Sequence, residues 1–153
     1  MKKDQTAGRA AYGDESMMLE NQLCLPLYAA ARRVVSGYTL FLKPLGITYT
    51  QYIVFLALWE YGDLSVGDLS EKLWLDSGTL TPLLKKLEQA GYVRRNRGTE
   101  DERVVFISLT EKGQALREEA RPVPGCVAEK FPLSREEADQ LYTLLYKVIR
   151  GIE

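Results

Sequence analysis

The chain has 153 residues, with 20 Lys and Arg against 21 Asp and Glu, two cysteines and no histidine. That length builds one ordinary domain with its own core, without disulfide or metal staples, and a net charge of -1 excludes binding of polyanions by bulk electrostatics. The absence of histidine removes the commonest general base and the usual nitrogen ligand for zinc, and Cys24 and Cys126 are too far apart in sequence for a local metal clip, so no metal or cofactor is expected.

Residues 1–16 are polar and charged, without the apolar run of a secretory signal or membrane span, which predicts a mobile N-terminal arm on a soluble cytoplasmic protein. In a reducing cytosol the two cysteines read as free thiols, and any bridge between them as conditional.

Leu19, Leu23, Leu27, Ala31, Val34, Tyr38 and Leu42 then recur at three- and four-residue intervals. This apolar stripe is longer than one small helix needs for its own core and suggests a partner subunit. Pro26 interrupts the pattern, so the helix either starts near Leu25 or is kinked there. Both alternatives put Cys24 beside an initial or disturbed turn, and at an initial turn the positive end of the helix dipole favours a thiolate.

Pro44 and Gly46 end the stripe, and Thr48 can cap a second helix carrying Ile53, Leu56 and Trp59. Ser65 with Asp68 predicts the start of a short third helix with Val66, Leu69 and Leu73 inside. Asp76 or Ser77 caps the next, which buries Leu80, Leu84 and Leu87 and ends at Gly91. After Gly91 the period changes. The β-rich runs Tyr92–Arg95 and Val104–Leu109 flank a polar stretch from Asn96 to Arg103, predicting a β-hairpin with a charged tip.

A further helix starts at Thr110–Gly113, and Pro122 and Pro124 interrupt the segment after it. Ser134 with Glu137 caps a last helix whose stripe is Ala138, Leu141, Leu145, Val148 and Ile152. The expected fold is therefore mainly α with a small β-hairpin wing, a winged helix-turn-helix. Residues 17–153 form one domain, in which 48–110 read DNA and 17–47 and 111–153 form a homodimer interface.

On the fourth helix the leucines share one face and leave Thr79, Thr81, Lys85 and Lys86 for the other. Small hydroxyls near a helix start can approach phosphates and base edges, and lysines further along can pair with the backbone. The plain alternative is a solvated helix face. The hairpin adds Arg94, Arg95, Arg97 and Arg103, and an arginine at a wing tip can enter a narrow minor groove. Glu100, Asp101 and Glu102 offset that charge, so a salt-bridged surface hairpin is the competing reading, although Asp101 can instead orient Arg103. For Cys24, a peroxide-sensing role needs access and donors that stabilise a thiolate; no Lys or Arg lies within four residues, which leaves the nine tyrosines as donors, and the competing reading is a small buried hydrophobe.

The runs Leu19-Glu20-Asn21-Gln22-Leu23-Cys24, Leu75-Asp76-Ser77-Gly78-Thr79-Leu80-Thr81-Pro82-Leu83-Leu84-Lys85, and Asp101-Glu102-Arg103 followed by Ile107-Ser108-Leu109-Thr110 closely resemble the OhrR branch of the MarR family, over about Leu19 to Gly125. The resemblance implies a homodimeric repressor of a peroxidase gene that senses organic hydroperoxides and is not an enzyme. It assigns Cys24 as the sulfur oxidised to sulfenic acid, and Tyr38 and Tyr49 of the opposite subunit as its hydrogen-bond donors. It places Ser77, Thr79, Thr81, Pro82, Lys85 and Lys86 on a recognition helix facing a palindromic double-stranded operator, and Arg97, Asp101 and Arg103 on the wing. Cys126 is similar to the resolving cysteine of the two-cysteine branch; the alternative is a low-molecular-weight thiol capping Cys24. Pro26 departs from the ordinary apolar residue of that branch. Two rivals stand beside this reading: induction by a reversibly bound phenolic ligand, and a thiol peroxidase using both cysteines.

Overall fold

The computed structural model of the chain describes residues 14–98, 101 and 103–152; the expected arm up to residue 13, together with Glu100 and Glu102 of the hairpin tip, lies outside the described residues. Two 3-10 turns, Asp14–Met17 and Leu19–Asn21, precede α1 (Cys24–Leu42) and α2 (Tyr49–Tyr61). A two-residue strand β1 (Leu64–Ser65) leads into α3 (Val66–Leu73) and α4 (Ser77–Gln89). After these come β2 (Val93–Arg97), β3 (Val105–Leu109), α5 (Glu111–Ala120), α6 (Val123–Ala128) and α7 (Arg135–Gly151).

Pro26 is the third residue of α1, where a backbone N–H would have no helical acceptor, so the ring breaks no internal bond. The helix therefore begins at Cys24 and is not kinked at Pro26. The predicted stripe is corrected at its start: Leu19 lies in a 3-10 turn and Leu23 is the residue before the helix. The side-chain amides of Asn21 and Gln22 hold this approach by donating to the carbonyls of Glu15 and Ser16, at 2.8 and 2.5 Å.

Thr48 caps α2 reciprocally with Gln51, each side chain bonded to the other residue's backbone N–H. The buried residues of α2 are Tyr52, Val54, Phe55, Ala57 and Leu58, whereas Leu56 is 41% exposed. Of Ile53, Leu56 and Trp59, none is fully buried. A helix apolar on nearly every side has no phase to read from its period.

Ser65 and Asp68 form the capping box of α3, and Asp76 caps α4 by accepting from the Thr79 backbone N–H at 2.9 Å. Gly91, at φ 77°, ends α4 in the left-handed conformation that glycine adopts without a Cβ clash. The hairpin pairs β2 with β3 from Val93↔Leu109 to Arg97↔Val105, and β1 pairs on the other edge of β3, giving the order β1-β3-β2. Leu69 of α3, Leu80, Leu84 and Leu87 of α4, Val93 and Ile107 of the sheet and Leu116 of α5 share one buried core with α2. Each such side chain contributes roughly 1.5–3 kcal/mol on burial. This is a winged helix-turn-helix.

The two ends of the chain are different. α7, started by the Ser134–Glu137 box, buries no residue and exposes Leu141, Tyr142, Leu144 and Ile149. α1 likewise leaves Tyr28, Val35 and Leu40 open and buries only Leu42. Among the described residues no helix is long and apolar enough to cross a membrane.

Candidate functional site

Helix α4 is fixed at both ends. At its start, Asp76 accepts from the Thr79 backbone N–H through Oδ1, and the Thr79 hydroxyl donates to Oδ2 at 2.8 Å. These hydrogen bonds hold the Asp76 carboxyl below its usual range. With its proton directed at Asp76, Thr79 presents oxygen lone pairs outward, which suits a base amino group or a water rather than a phosphate.

Ser77, Thr79, Pro82, Lys85 and Lys86 are exposed and Thr81 is half-buried, opposite the buried Leu80, Leu84 and Leu87. Pro82 lies inside the helix and offers no N–H to the carbonyl of Gly78, one turn earlier.

At its other end, Lys112 Nζ donates to the Ala90 carbonyl at 2.8 Å while lying 4.3 Å from the Tyr92 ring centre, and the Thr110 hydroxyl donates to the Gly91 carbonyl at 2.7 Å. The Tyr92 carbonyl in turn accepts from the Thr110 backbone N–H at 3.0 Å. Trp59 Nε1 donates to the Gly113 carbonyl at 3.0 Å. A hydrogen-bonded node thus joins the end of α4, the root of the wing, the start of α5 and the end of α2. Sequence reading missed it, because it is assembled from residues far apart in the chain.

On the wing, Arg94, Arg97 and Arg103 are exposed, whereas Arg95 turns inward opposite the buried Ile107. The Arg103 guanidinium grips Asp101 with both arms, Nε to Oδ1 at 3.0 Å and Nη2 to Oδ2 at 3.1 Å. The same carboxylate accepts the Arg103 backbone N–H at 2.9 Å, and these bonds lower the Asp101 pKa. Arg103 stays 91% exposed while so oriented, and is available to a groove or phosphate. Asn96 donates to the Ser108 hydroxyl and Ser108 to Asp63, tying the wing to the α2–β1 turn.

Cys24 is exposed at the first residue of α1, and Cys126 is half-buried in α6, which packs against α1. Tyr38 lies fourteen residues along α1 from Cys24, roughly 21 Å at the helical rise, so within one chain it does not reach the sulfur. The Tyr38 and Tyr49 rings pair across α1 and α2 with centres 4.9 Å apart. Burial raises both pKa values, helped for Tyr38 by its neighbour Tyr49. Among the described residues no group of three or more His, Cys, Asp or Glu side chains could hold a metal ion.

Residues 37–120 match the family model described as transcriptional regulator SarA/Rot. The chain is 47% identical over 138 residues to the organic hydroperoxide resistance transcriptional regulator of Bacillus subtilis (strain 168), covering 90% of this chain and 94% of that one. Among solved structures it is similar to AbfR, a protein of Staphylococcus epidermidis. The reduced form bound to DNA superposes with TM-score 0.77 at 36% identity, covering 90% of this chain and 94% of AbfR. The overoxidized form bound to DNA gives 0.75 at 38% identity, with 92% and 98% covered. The disulfide form gives 0.64 at 37% identity, with 91% and 95% covered. Of these three AbfR structures, the two bound to DNA superpose on this chain more closely than the disulfide form does. With the helix-turn-helix, the wing and the near-complete overlap in agreement, the chain belongs to the MarR-type transcriptional regulators, in the branch of the organic hydroperoxide regulators.

Proposed function

We propose that this chain is a homodimeric repressor that binds double-stranded DNA when reduced and leaves it when Cys24 is oxidised by an organic hydroperoxide. The observation that carries this is the separation of thiol from phenols: Cys24 stands exposed at one end of α1, and a half-buried pair of tyrosines sits at the other. Two-fold pairing of the exposed apolar faces of α1 and α7 would bring one subunit's Tyr38 and Tyr49 to the other's Cys24. An isologous interface repeats such a contact twice. In this arrangement residues 17–47 and 111–153 form the dimer and 48–110 read DNA. Ser77, Thr79, Thr81, Pro82, Lys85 and Lys86 face the major groove, while Arg97, Asp101 and Arg103 serve the wing. Two-fold symmetry sets the half-site spacing near one helical turn of a palindromic operator.

The chemistry is a two-electron transfer. The Cys24 thiolate attacks the terminal oxygen of the hydroperoxide, the S–O bond forms as the O–O bond breaks, and the leaving alkoxide takes a proton to become the alcohol. The sulfenic acid then condenses with a second thiol, releasing water. That thiol is Cys126 of the partner subunit or a low-molecular-weight thiol, and reduction by a dithiol restores both groups. Condensation, rather than oxygen addition, moves the reading heads out of register; overoxidized AbfR was solved bound to DNA, which favours this order.

The test is a DNA mobility shift with duplexes selected from random sequence by the reduced protein. Cumene hydroperoxide is expected to release wild type and leave Cys24→Ser bound. Release of the serine variant by hydroperoxide removes Cys24 from its role. Non-reducing electrophoresis separates the two second thiols: a covalent dimer requiring both cysteines assigns Cys126.

One observation favours a second reading, induction by a phenolic ligand. A groove of about 430 Å³ lies between α2, α5 and α6, lined by Tyr52, Leu56, Trp59, Arg117 and Arg121, which offers aromatic walls and two cations. In that case Cys24→Ser remains inducible by a phenolic acid and reductant has no effect.

A further inference from the structure

We infer that Tyr52 is a positioning residue for the thiol sensor: its ring is the buried floor on which Tyr38 and Tyr49 are held as donors. This rests on the reading that those two phenols serve the sulfur of the partner subunit's Cys24.

Three features carry it. Tyr52 is 1% exposed, whereas Tyr38 and Tyr49 are only half-buried, so the three rings form a floor and a rim across the α1–α2 contact. The Tyr52 ring lies 5.8 Å from that of Tyr38, which itself lies 4.9 Å from Tyr49; with Tyr49 and Tyr52 three residues apart on one helix, the three side chains constrain one another. Behind Tyr52 the support is rigid. Its ring meets Trp59 edge-on at 6.5 Å, Trp59 stacks on Phe55 at 5.4 Å, and the Trp59 indole N–H is bonded to the Gly113 carbonyl at 3.0 Å.

The three phenols also sense one another. Burial, with Tyr38 and Tyr49 adding to it, pushes Tyr52 up to about 12. A leucine of similar apolar character would fill space without presenting a flat, edge-defined surface, and both donors would gain rotational freedom. Donors that must converge on one sulfur from another subunit lose effectiveness when displaced by a fraction of a bond length, because hydrogen bonding is steep in distance and angle.

The experiment compares Tyr52→Phe, Tyr52→Leu and Leu84→Ala in the full-length dimer. It measures the rate of Cys24 oxidation by cumene hydroperoxide, through dimedone trapping and intact mass, and the DNA affinity of the reduced protein. Tyr52→Phe keeps the ring and is expected within about twofold of wild type. Tyr52→Leu is expected to oxidise roughly tenfold more slowly, the scale of a weakened hydrogen bond to a charged group, while the reduced protein binds DNA as wild type does. Leu84→Ala is destabilised in the reading head and reports what loss of stability alone does; its oxidation rate is expected unchanged. Should the leucine variant not fold, Tyr52→Met fills the space with an unbranched chain and takes its place. A wild-type oxidation rate in the ring-less variant, or a tenfold loss in Tyr52→Phe, overturns the inference. Tyr38→Phe and Tyr49→Phe keep the two ideas apart: if neither slows oxidation, the donor reading itself fails, and if both do while Tyr52→Leu does not, only Tyr52 is misassigned.

Discussion

Replacing Gly113 by alanine probes the node that joins the reading head to the rest of the chain. A Cβ at Gly113 would sit 2.3 Å from the Tyr92 carbonyl oxygen and 2.9 Å from Leu109 Cδ2. To reach even the 3.0 Å that real contacts require, one side must move by roughly 0.7 Å in a close-packed region. That displacement strains the Thr110 N–H bond to the Tyr92 carbonyl and the Trp59 bond to the Gly113 carbonyl, both 3.0 Å. Overpacking costs about 1–3 kcal/mol and each weakened hydrogen bond about 1, while the better helix propensity of alanine returns up to about 1. The net loss is about 2–4 kcal/mol, or a fall in Tm of roughly 4–16 °C for a domain of this size. Thermal melts followed by circular dichroism at one fixed protein concentration measure it, since dimerisation couples Tm to concentration. Gly67→Ala is the control: in α3 its Cβ meets only Ser65 Oγ at 3.6 Å, and a gain of about 0.5–1 kcal/mol is expected from propensity. A Gly113→Ala Tm within about 1 °C of wild type, where a drop several times larger is expected, refutes the close approach and with it the node.

Arg103→Ala should weaken DNA binding across sequences and reduce the slope of log affinity against log salt by about one, because one fewer phosphate-side cation is engaged; an unchanged slope in anisotropy titrations means that the wing tip does not touch DNA. Tyr52 binds its proton more tightly folded than unfolded, since its pKa rises from 10.0 to about 12. Its contribution is therefore complete below pH 10 and is lost between pH 10 and 12, with a limiting slope of about 1.4 kcal/mol per pH unit for one proton. Urea unfolding at several alkaline pH values should show a flatter decline in Tyr52→Phe, and identical declines count against the buried phenol. Pro26→Ala should leave stability within about 1 kcal/mol by denaturant titration, because the ring sits where no helical hydrogen bond is lost; a large change in either direction means that α1 does not begin at Cys24.

Much of the reading head is legible in the sequence because its punctuation is local chemistry. Ser65 with Asp68, Asp76 before Thr79, Gly91 after the last leucine, and the change of period at Val93 each satisfy backbone groups within a few residues, and the structure places all of them there. The misses share a cause in longer-range packing. α2 is apolar nearly all round, so its spacing carries no phase, and nothing in it marks Leu56 as a residue left 41% exposed. The stripe through Leu19 and Leu23 continues the helical period, yet those residues precede α1, because Asn21 and Gln22 bond back to Glu15 and Ser16 and fold the approach into 3-10 turns. β1 has two residues and pairs with a strand more than forty positions away, which no local signal announces. The thiol site is least legible of all. Cys24, Tyr38 and Tyr49 are each visible as residues, but the arrangement proposed for them exists only between two copies of the chain.

Coupling between one sulfur and DNA occupancy is the centre of the proposed mechanism. Both can be followed in a single titration: reduced dimer on a fluorescent selected duplex, stepwise cumene hydroperoxide, anisotropy for bound DNA, and intact mass with thiol mapping for the state of Cys24. The mechanism predicts that DNA is released in proportion to the fraction of Cys24 carried into a disulfide or mixed disulfide, and is rebound on adding a dithiol. Full conversion of Cys24 to a disulfide with the duplex still held as tightly as by the reduced protein would contradict it.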